Sequence, residues 1–249
     1  MIPEDFTHRV ALVTGAFRGF GRAISERLAA RGAKVAVNVR DPERAEATAR
    51  LLGDRGFAVP GDLADPADLQ AIVARTLNRF GRIDILVNNA AVALSTRFEK
   101  ITEEEWRRTF EVNVTAVFLL TRAVLPAMKE QGYGRIINLS STAGKTVSTL
   151  GGAHYTASKA ALLGLTRASA KELGPYGITI NAICPGLFDT ELTRENATPE
   201  MLAAAAQSFP IRRLGEPVEV ADLVCFLASE AAGYITGASL DINGGDLML

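Results

Sequence analysis

Seven short aliphatic, largely β-branched runs, separated by segments of which most read as helices, constrain this chain more than any other feature. They cover residues 10–13, 34–39, 57–59, 83–87, 135–139, 178–183 and 238–242. Most are continuously apolar rather than alternating, as strands covered on both faces are. The segments between them carry helix punctuation. Ile24 and Leu28 fall four apart before Gly32, Asp65-Pro66 pairs an N-cap with proline at the first helical position, and Thr102-Glu103-Glu104-Glu105 is a capping box opening a helical stretch towards Lys129. Strand–helix alternation at this spacing returns each strand parallel to the last through a right-handed crossover. The pattern predicts a single-domain Rossmann fold over residues 1–249, with a doubly wound, seven-stranded parallel sheet and helices on both faces. With 249 residues, 48% of them hydrophobic, one core is well supplied and two would be cramped. No internal repeat or linker interrupts it.

Charge narrows the function classes. Twenty-seven Lys and Arg against 28 Asp and Glu leave a net charge of −1, with no basic footprint for nucleic acid and no cationic face for an anionic membrane. The first five residues, Met1-Ile2-Pro3-Glu4-Asp5, are acidic where a secretion signal carries positive charge, and no apolar run reads as long enough to cross a bilayer. Two cysteines, Cys184 and Cys225, form neither a metal cluster nor a disulfide framework. The expectation is a cytoplasmic α/β protein that binds neither nucleic acid nor membrane.

Thr14-Gly15-Ala16-Phe17-Arg18-Gly19-Phe20-Gly21 lies between the first strand and the first helix. Glycines there permit a tight turn and close approach of a pyrophosphate, and the helix start offers free N–H groups and a positive dipole end. The second strand ends Asn38-Val39-Arg40-Asp41. An acidic residue at such a position holds a ribose hydroxyl, whereas an arginine accommodates a 2′-phosphate. Arg40 and Arg18 supply two cations, while Asp41 offers the competing outcome of pairing with Arg40 or taking a hydroxyl itself.

Tyr155 and Lys159, four apart at the start of a helical stretch, share one face. A phenol is a poor base near neutrality, but a nearby ammonium and an oxidised nicotinamide both favour its ionised form. Ser140-Ser141 follows the fifth strand at the ligand-binding edge of such a sheet, and Asn113 places an amide inside an apolar helical stretch, where it reads as a satisfied core group or a kink.

Taken in order, these residues resemble the short-chain dehydrogenase/reductase family over nearly the whole chain. The matching pieces are Thr14-Gly15-x3-Gly19-x-Gly21, Asp62-Leu63, Asn88-Asn89-Ala90, Asn113, Ser141, Tyr155-x3-Lys159, Pro185-Gly186 and Asn243-Gly244-Gly245. The resemblance implies an NAD(P)-dependent oxidoreductase interconverting a ketone and a secondary alcohol. Tyr155 would be the general acid/base, Ser141 would orient the carbonyl, Lys159 would lower the tyrosine pKa and hold the nicotinamide ribose, and Asn113 would fix a relay water. Gly15, Gly19, Phe20 and Gly21 of the glycine loop would bind the cofactor, with Arg18 beside Arg40 near a 2′-phosphate. Asp62 and Leu63 would contact the adenine, and Asn89 and Ala90 the ribose side. Pro185, Gly186, Phe188 and Thr190 would flank the nicotinamide. Val39 stands where NAD-using relatives commonly carry Asp, so with Arg40 the implied cofactor is NADP(H) in preference to NAD(H).

Three departures stand out: Ala91 where glycine is usual, Phe17 in place of a small or hydroxylated residue, and a 145–153 loop that sets Ser141 and Tyr155 one residue further apart than in many relatives. The resemblance also implies a homotetramer, with helices from 103–129 and 155–175 across one interface and 241–249 across another. An Ala-rich lid is expected near 188–209. Similarity runs closest to 3-oxoacyl-acyl-carrier-protein reductases, yet 129–134 reads Lys-Glu-Gln-Gly-Tyr-Gly, less basic than carrier-binding relatives, with Lys171 one further contact. A free small-molecule carbonyl or alcohol is therefore the first reading and a carrier-bound thioester the alternative. A catalytically silent nucleotide-binding regulator is the reading from another class, and the intact Asn113, Ser141, Tyr155 and Lys159 argue against it.

Overall fold

Val10–Thr14 (β1) pairs in parallel with Lys34–Asn38 (β2) on one side and Ile85–Asn88 (β4) on the other. That change of direction fixes where a ligand can bind. The computed structural model describes residues 5–148 and 150–249, so the first four residues of the acidic N-terminal stretch lie outside it. Gly56–Ala58 (β3), Gly134–Leu139 (β5), Ile178–Pro185 (β6) and Ser239–Ile242 (β7) complete a seven-stranded parallel sheet in the order β3-β2-β1-β4-β5-β6-β7. The topological switch lies between β1 and β4, and doubly wound sheets open their ligand crevice at the carboxyl ends of such a pair.

Alternate residues of β1 enter different cores. Ala11 and Val13 join Ile24, Leu28, Val220 and Val224, contributed by Gly19–Ala30 (α1) and Pro217–Ala228 (α9). Leu12 joins Ile72, Leu120 and Val124 of Pro66–Phe80 (α3) and Ala116–Gln131 (α5), together with Leu173 of Ala153–Leu173 (α6). Helices therefore cover both faces. The capping signals hold: Asp65 accepts the Ala67 amide at 2.8 Å, and Thr102 and Glu105 form the reciprocal box of Glu103–Phe110 (α4).

Two sequence expectations are corrected. The fourth strand begins at Ile85 rather than Ile83, because the buried Asp84 carboxylate is held by the Val10 amide (2.9 Å), Arg9 (3.1 Å) and Arg82 (2.8 Å) instead of lying along a strand. The helical stretch after Thr102 is longer and more apolar than expected. From Glu103 to Gln131 it is long and apolar enough by composition to cross a bilayer, with mean hydropathy 1.4 in its most apolar window. It packs instead on the sheet through Val117, Leu120, Val124 and Met128, and leaves Phe118 exposed. It is also not one regular helix, since Glu111–Thr115 forms a π-helical turn between α4 and α5. Beyond β6, Glu191–Asn196 (α7) and Pro199–Ser208 (α8) supply the helices expected near 188–209, capped by Thr190 and Thr198.

Candidate active site

The glycine turn is held against β4 by asparagine and threonine. Asn89 donates its side-chain amide to the Thr14 and Gly15 carbonyls at 2.9 and 3.1 Å, and Thr14 Oγ1 accepts the Asn89 and Ala90 amides at 3.0 and 3.1 Å. Gly15 sits at φ +63°, and a Cβ there would meet Ala90 Cα at 2.9 Å. Gly21 has an ordinary helical backbone, but its Cβ would lie 2.2 Å from the Gly15 carbonyl. One glycine is thus needed for conformation and closeness, the other for closeness alone. Above this cradle opens a cleft of about 460 Å³, running from the ends of β1 and β2 to Tyr155 and Lys159. A backbone cradle that excludes side chains, beneath the start of a helix, fits the pyrophosphate of a dinucleotide.

Of the residues expected to hold the cofactor, Gly15, Arg18, Gly19, Phe20, Arg40, Asp62, Leu63, Asn89, Ala90 and Thr190 line the cleft, as do Tyr155 and Lys159. Gly21 lies beneath it. Pro185, Gly186 and Phe188 do not line it. The Phe188 ring is buried and packs edge-on against Phe20 at 5.1 Å, so it supports the floor from the core. Gly186 gives way to Asn243, whose Cβ lies 2.7 Å from where a Cβ on Gly186 would sit. Asp41 does not neutralise Arg40. Its carboxylate caps Pro42–Leu51 (α2) by accepting the Glu43 and Arg44 amides at 2.9 and 3.3 Å, and pairs with Arg44 at 3.5 Å. Arg40 instead faces Asp62, whose carboxyl burial would raise but which the Ala64 amide, Arg108 and Arg40 together hold below its ordinary range.

At the inner end, Tyr155 is in hydrogen-bond contact with Ser141, and burial pushes its phenol above the ordinary value despite that contact. Lys159 is buried. Its ammonium donates to the Leu139 carbonyl at 2.6 Å and lies 5.6 Å from the Tyr155 ring centroid. Burial lowers Lys159 to about 8. At the phenol, desolvation outweighs the Ser141 contact, so Tyr155 lies above rather than below its ordinary value. Ser141 Oγ accepts the Ala143 amide at 3.1 Å, while Ser140, not Ser141, lines the cleft and donates to the Lys159 carbonyl at 2.9 Å.

Asn113 lies in the π-helical turn and does not reach the cleft. Its Oδ1 accepts the Val92 amide at 2.7 Å, and its Nδ2 donates to Val92 O and Ser158 Oγ, each at 2.9 Å. It thereby ties the strand-end loop to the turn of α6 that carries Tyr155 and Lys159. π-Turns concentrate at functional sites, and the signal visible in the sequence was a lone amide among apolar residues. Arg108 was missed. It reaches across 46 positions to bond both Asp62 oxygens at 3.0 Å, a contact no local pattern announces.

Residues 15–246 match the family model described as enoyl-(acyl carrier protein) reductase. The chain is 41% identical over 245 residues to 3-oxoacyl-(acyl-carrier-protein) reductase FabG of Escherichia coli, covering 98% of this chain and 100% of the relative. This chain belongs to the short-chain dehydrogenase/reductase family. The FabG of Vibrio cholerae is 42% identical over 241 residues, covering 97% of this chain and 98% of the relative. A crystal structure of 3-ketoacyl-(acyl-carrier-protein) reductase from Brucella melitensis complexed with NADH is 37% identical, with a TM-score of 0.91 over 97% of this chain and 99% of that one. As a short-chain dehydrogenase/reductase, the protein is an oxidoreductase that works on a carbonyl or alcohol with a nicotinamide cofactor, and the reading as a silent regulator is set aside.

Proposed function

We propose that this short-chain dehydrogenase/reductase is a 3-oxoacyl-(acyl-carrier-protein) reductase that prefers NADP(H), with Tyr155 as its general acid/base. The names and full-length match of the relatives support the substrate class over the free small carbonyl expected first. One observation carries the chemistry. Tyr155, in contact with Ser141, stands at one end of a cleft that runs over the glycine cradle to Arg40 and Asp62.

The bound nicotinamide would supply or accept the hydride. The Ser141 hydroxyl orients the carbonyl oxygen beside the phenol. A phenol is protonated near neutrality and burial raises its pKa further, which suits donation to that oxygen in the reducing direction. Lys159, at about 8, is mostly charged at pH 7 and stabilises the negative charge left on the phenolate oxygen once its proton is donated. Asn113 holds the π-turn and α6 in register behind them, with one Oδ1 lone pair left for a relay water.

Arg40 supports the cofactor choice, since Asp41 is engaged elsewhere. Guanidinium donors suit a phosphate because they bind it through a planar fork. The reading extends to assembly and setting. The exposed Trp106 and Phe118 on the α4–α5 stretch, and Met248 and Leu249 at the chain end, fit burial between copies of a homotetramer. Cys184 and Cys225, both buried and neither in a disulfide, fit the cytoplasm. Residues 1–249 would act as one domain, with 188–209 closing over substrate.

A free small carbonyl remains the second reading, favoured by the weakly basic 129–134 stretch, where Lys129 lies over the Tyr176 ring at 3.9 Å. Comparing kcat/KM for one 3-oxoacyl group on a carrier protein and on a short thiol separates the two. We expect the carrier form to be preferred at least tenfold. Equal values would favour the free-carbonyl reading.

A further inference from the structure

Two carboxylates at the rim of the cleft already occupy groups that a dinucleotide would use. Glu191, the first residue of α7, accepts the backbone amide of Gly19 through Oε2 at 3.0 Å, and Gly19 is the first residue of α1. One turn further along α7, Glu195 forms an ion pair with Arg18, the residue just before α1. The two contacts span 172 and 177 positions and fasten the lid segment to the glycine turn. Neighbouring cations are committed elsewhere: Arg22 bonds Glu26 at 2.8 Å, and Arg194 bonds both Asp189 oxygens at 2.7 and 2.8 Å. Thr190, Glu191 and Leu192 line the cleft, so the fastening stands at the cofactor's entrance.

Helix-start amides and guanidinium groups are the features that bind phosphate, and a carboxylate on either is a weaker anion in the same place. We propose that Glu191 and Glu195 tune the affinity of the cofactor site, each competing with a different phosphate, and that only Glu195 bears on the choice between cofactors. Glu191 competes with the pyrophosphate, which NADPH and NADH share. Glu195 competes, through Arg18, with the 2′-phosphate that only NADPH carries. This rests on the reading above that Arg18 and Arg40 favour NADP(H). The acids hold the lid segment against α1, and phosphates displace them on binding. The effect is bounded by the strength of the contacts released. Both side chains of the Arg18–Glu195 pair are about half exposed, and such pairs correspond to no more than about fivefold in an equilibrium constant.

Direct titration of the full chain with NADPH and with NADH, followed by nicotinamide fluorescence, separates the two acids without any substrate. Glu195→Gln should tighten NADPH about two- to fivefold and leave NADH unchanged. Glu191→Gln should tighten both by the same factor. A Glu195→Gln variant that leaves NADPH unmoved, or shifts both cofactors equally, overturns the assignment of Glu195. A Glu191→Gln variant that weakens both cofactors shows that the carboxylate supports the site and overturns the assignment of Glu191. Arg18→Ala and Arg40→Ala run in parallel. If either lowers the NADPH-to-NADH affinity ratio while Glu195→Gln does nothing, only the present proposal fails. If neither changes that ratio, the cofactor preference fails and the role of Glu195 falls with it.

Discussion

The two ends of the cleft are built on opposite principles. At the catalytic end, Asn113, Ser140 and Lys159 are buried and held by bonds of 2.6–2.9 Å to core backbone and to Ser158. Burial there moves both titrating groups away from their ordinary values, Tyr155 upward and Lys159 downward. At the phosphate end, Arg18, Asp62 and Arg108 are partly exposed and held by ion pairs to other elements. Desolvation sets the chemistry at one end, and exchangeable, screened charge sets recognition at the other. Substitutions at the first end should therefore change turnover or stability steeply. At the second they should change affinity gradually and with a dependence on salt.

The largest effect outside turnover is expected from Lys159. Its folded value of about 8 lies below the ordinary 10.5, so between those limits the unfolded chain holds more protons. The burial penalty is present in full below about pH 8 and disappears as pH rises towards 10.5. Relative to Lys159→Met, wild-type stability in urea should rise by roughly 3 kcal/mol over that window. Parallel pH profiles for the two proteins would show that the lysine is not desolvated as described.

Next is Arg40→Ala. Charge-assisted hydrogen bonds contribute about 1.5–3 kcal/mol, so kcat/KM for NADPH should fall roughly ten- to a hundredfold while that for NADH hardly changes. The loss should shrink in high salt. Equal losses for both cofactors would mean that Arg40 serves the fold and not the 2′-phosphate.

Gly21→Ala tests the cradle between the two ends. A methyl 2.2 Å from the Gly15 carbonyl must push the turn and helix apart, and overpacking of this kind costs about 1–3 kcal/mol. A lower thermal midpoint and weaker binding of both cofactors are expected together. Unchanged binding would show that the turn accommodates a Cβ. The smallest effect belongs to Arg108→Ala. Its pair with Asp62 is about one-third exposed, so KM for both cofactors should rise only about two- to fivefold at constant kcat. A change in kcat would give Arg108 a part in the chemistry.

What the sequence disclosed follows the same division. The strands are legible within a residue or two because continuous aliphatic runs have few other uses, and Asp65-Pro66 and Thr102–Glu105 cap helices wherever they occur. Tyr155 and Lys159 are legible because a spacing of four survives folding unchanged. Ion pairs such as Arg18–Glu195 and Asp62–Arg108 are not, since they join positions 177 and 46 apart through surface charges that any helix can carry. Phe188 does not line the cleft although its neighbour Thr190 does, because its ring turns into the core beside Phe20, which the sequence alone does not reveal. The π-turn at Asn113 falls between these cases: the odd amide was visible, but the partners that make it a clamp, Val92 and Ser158, were not.

The contrast between the two ends meets in one measurement: turnover of a 3-oxoacyl thioester with NADPH by wild type and by Tyr155→Phe, with cofactor affinity measured on both proteins. Phe keeps the ring and removes the proton that the phenol donates in the proposed mechanism. We expect the affinity to stay within about twofold, since the ion-paired end is untouched, while turnover falls at least a hundredfold, the usual share of a general acid. A variant that binds NADPH normally and still turns over near the wild-type rate would contradict the assignment of Tyr155 and the division of labour built on it.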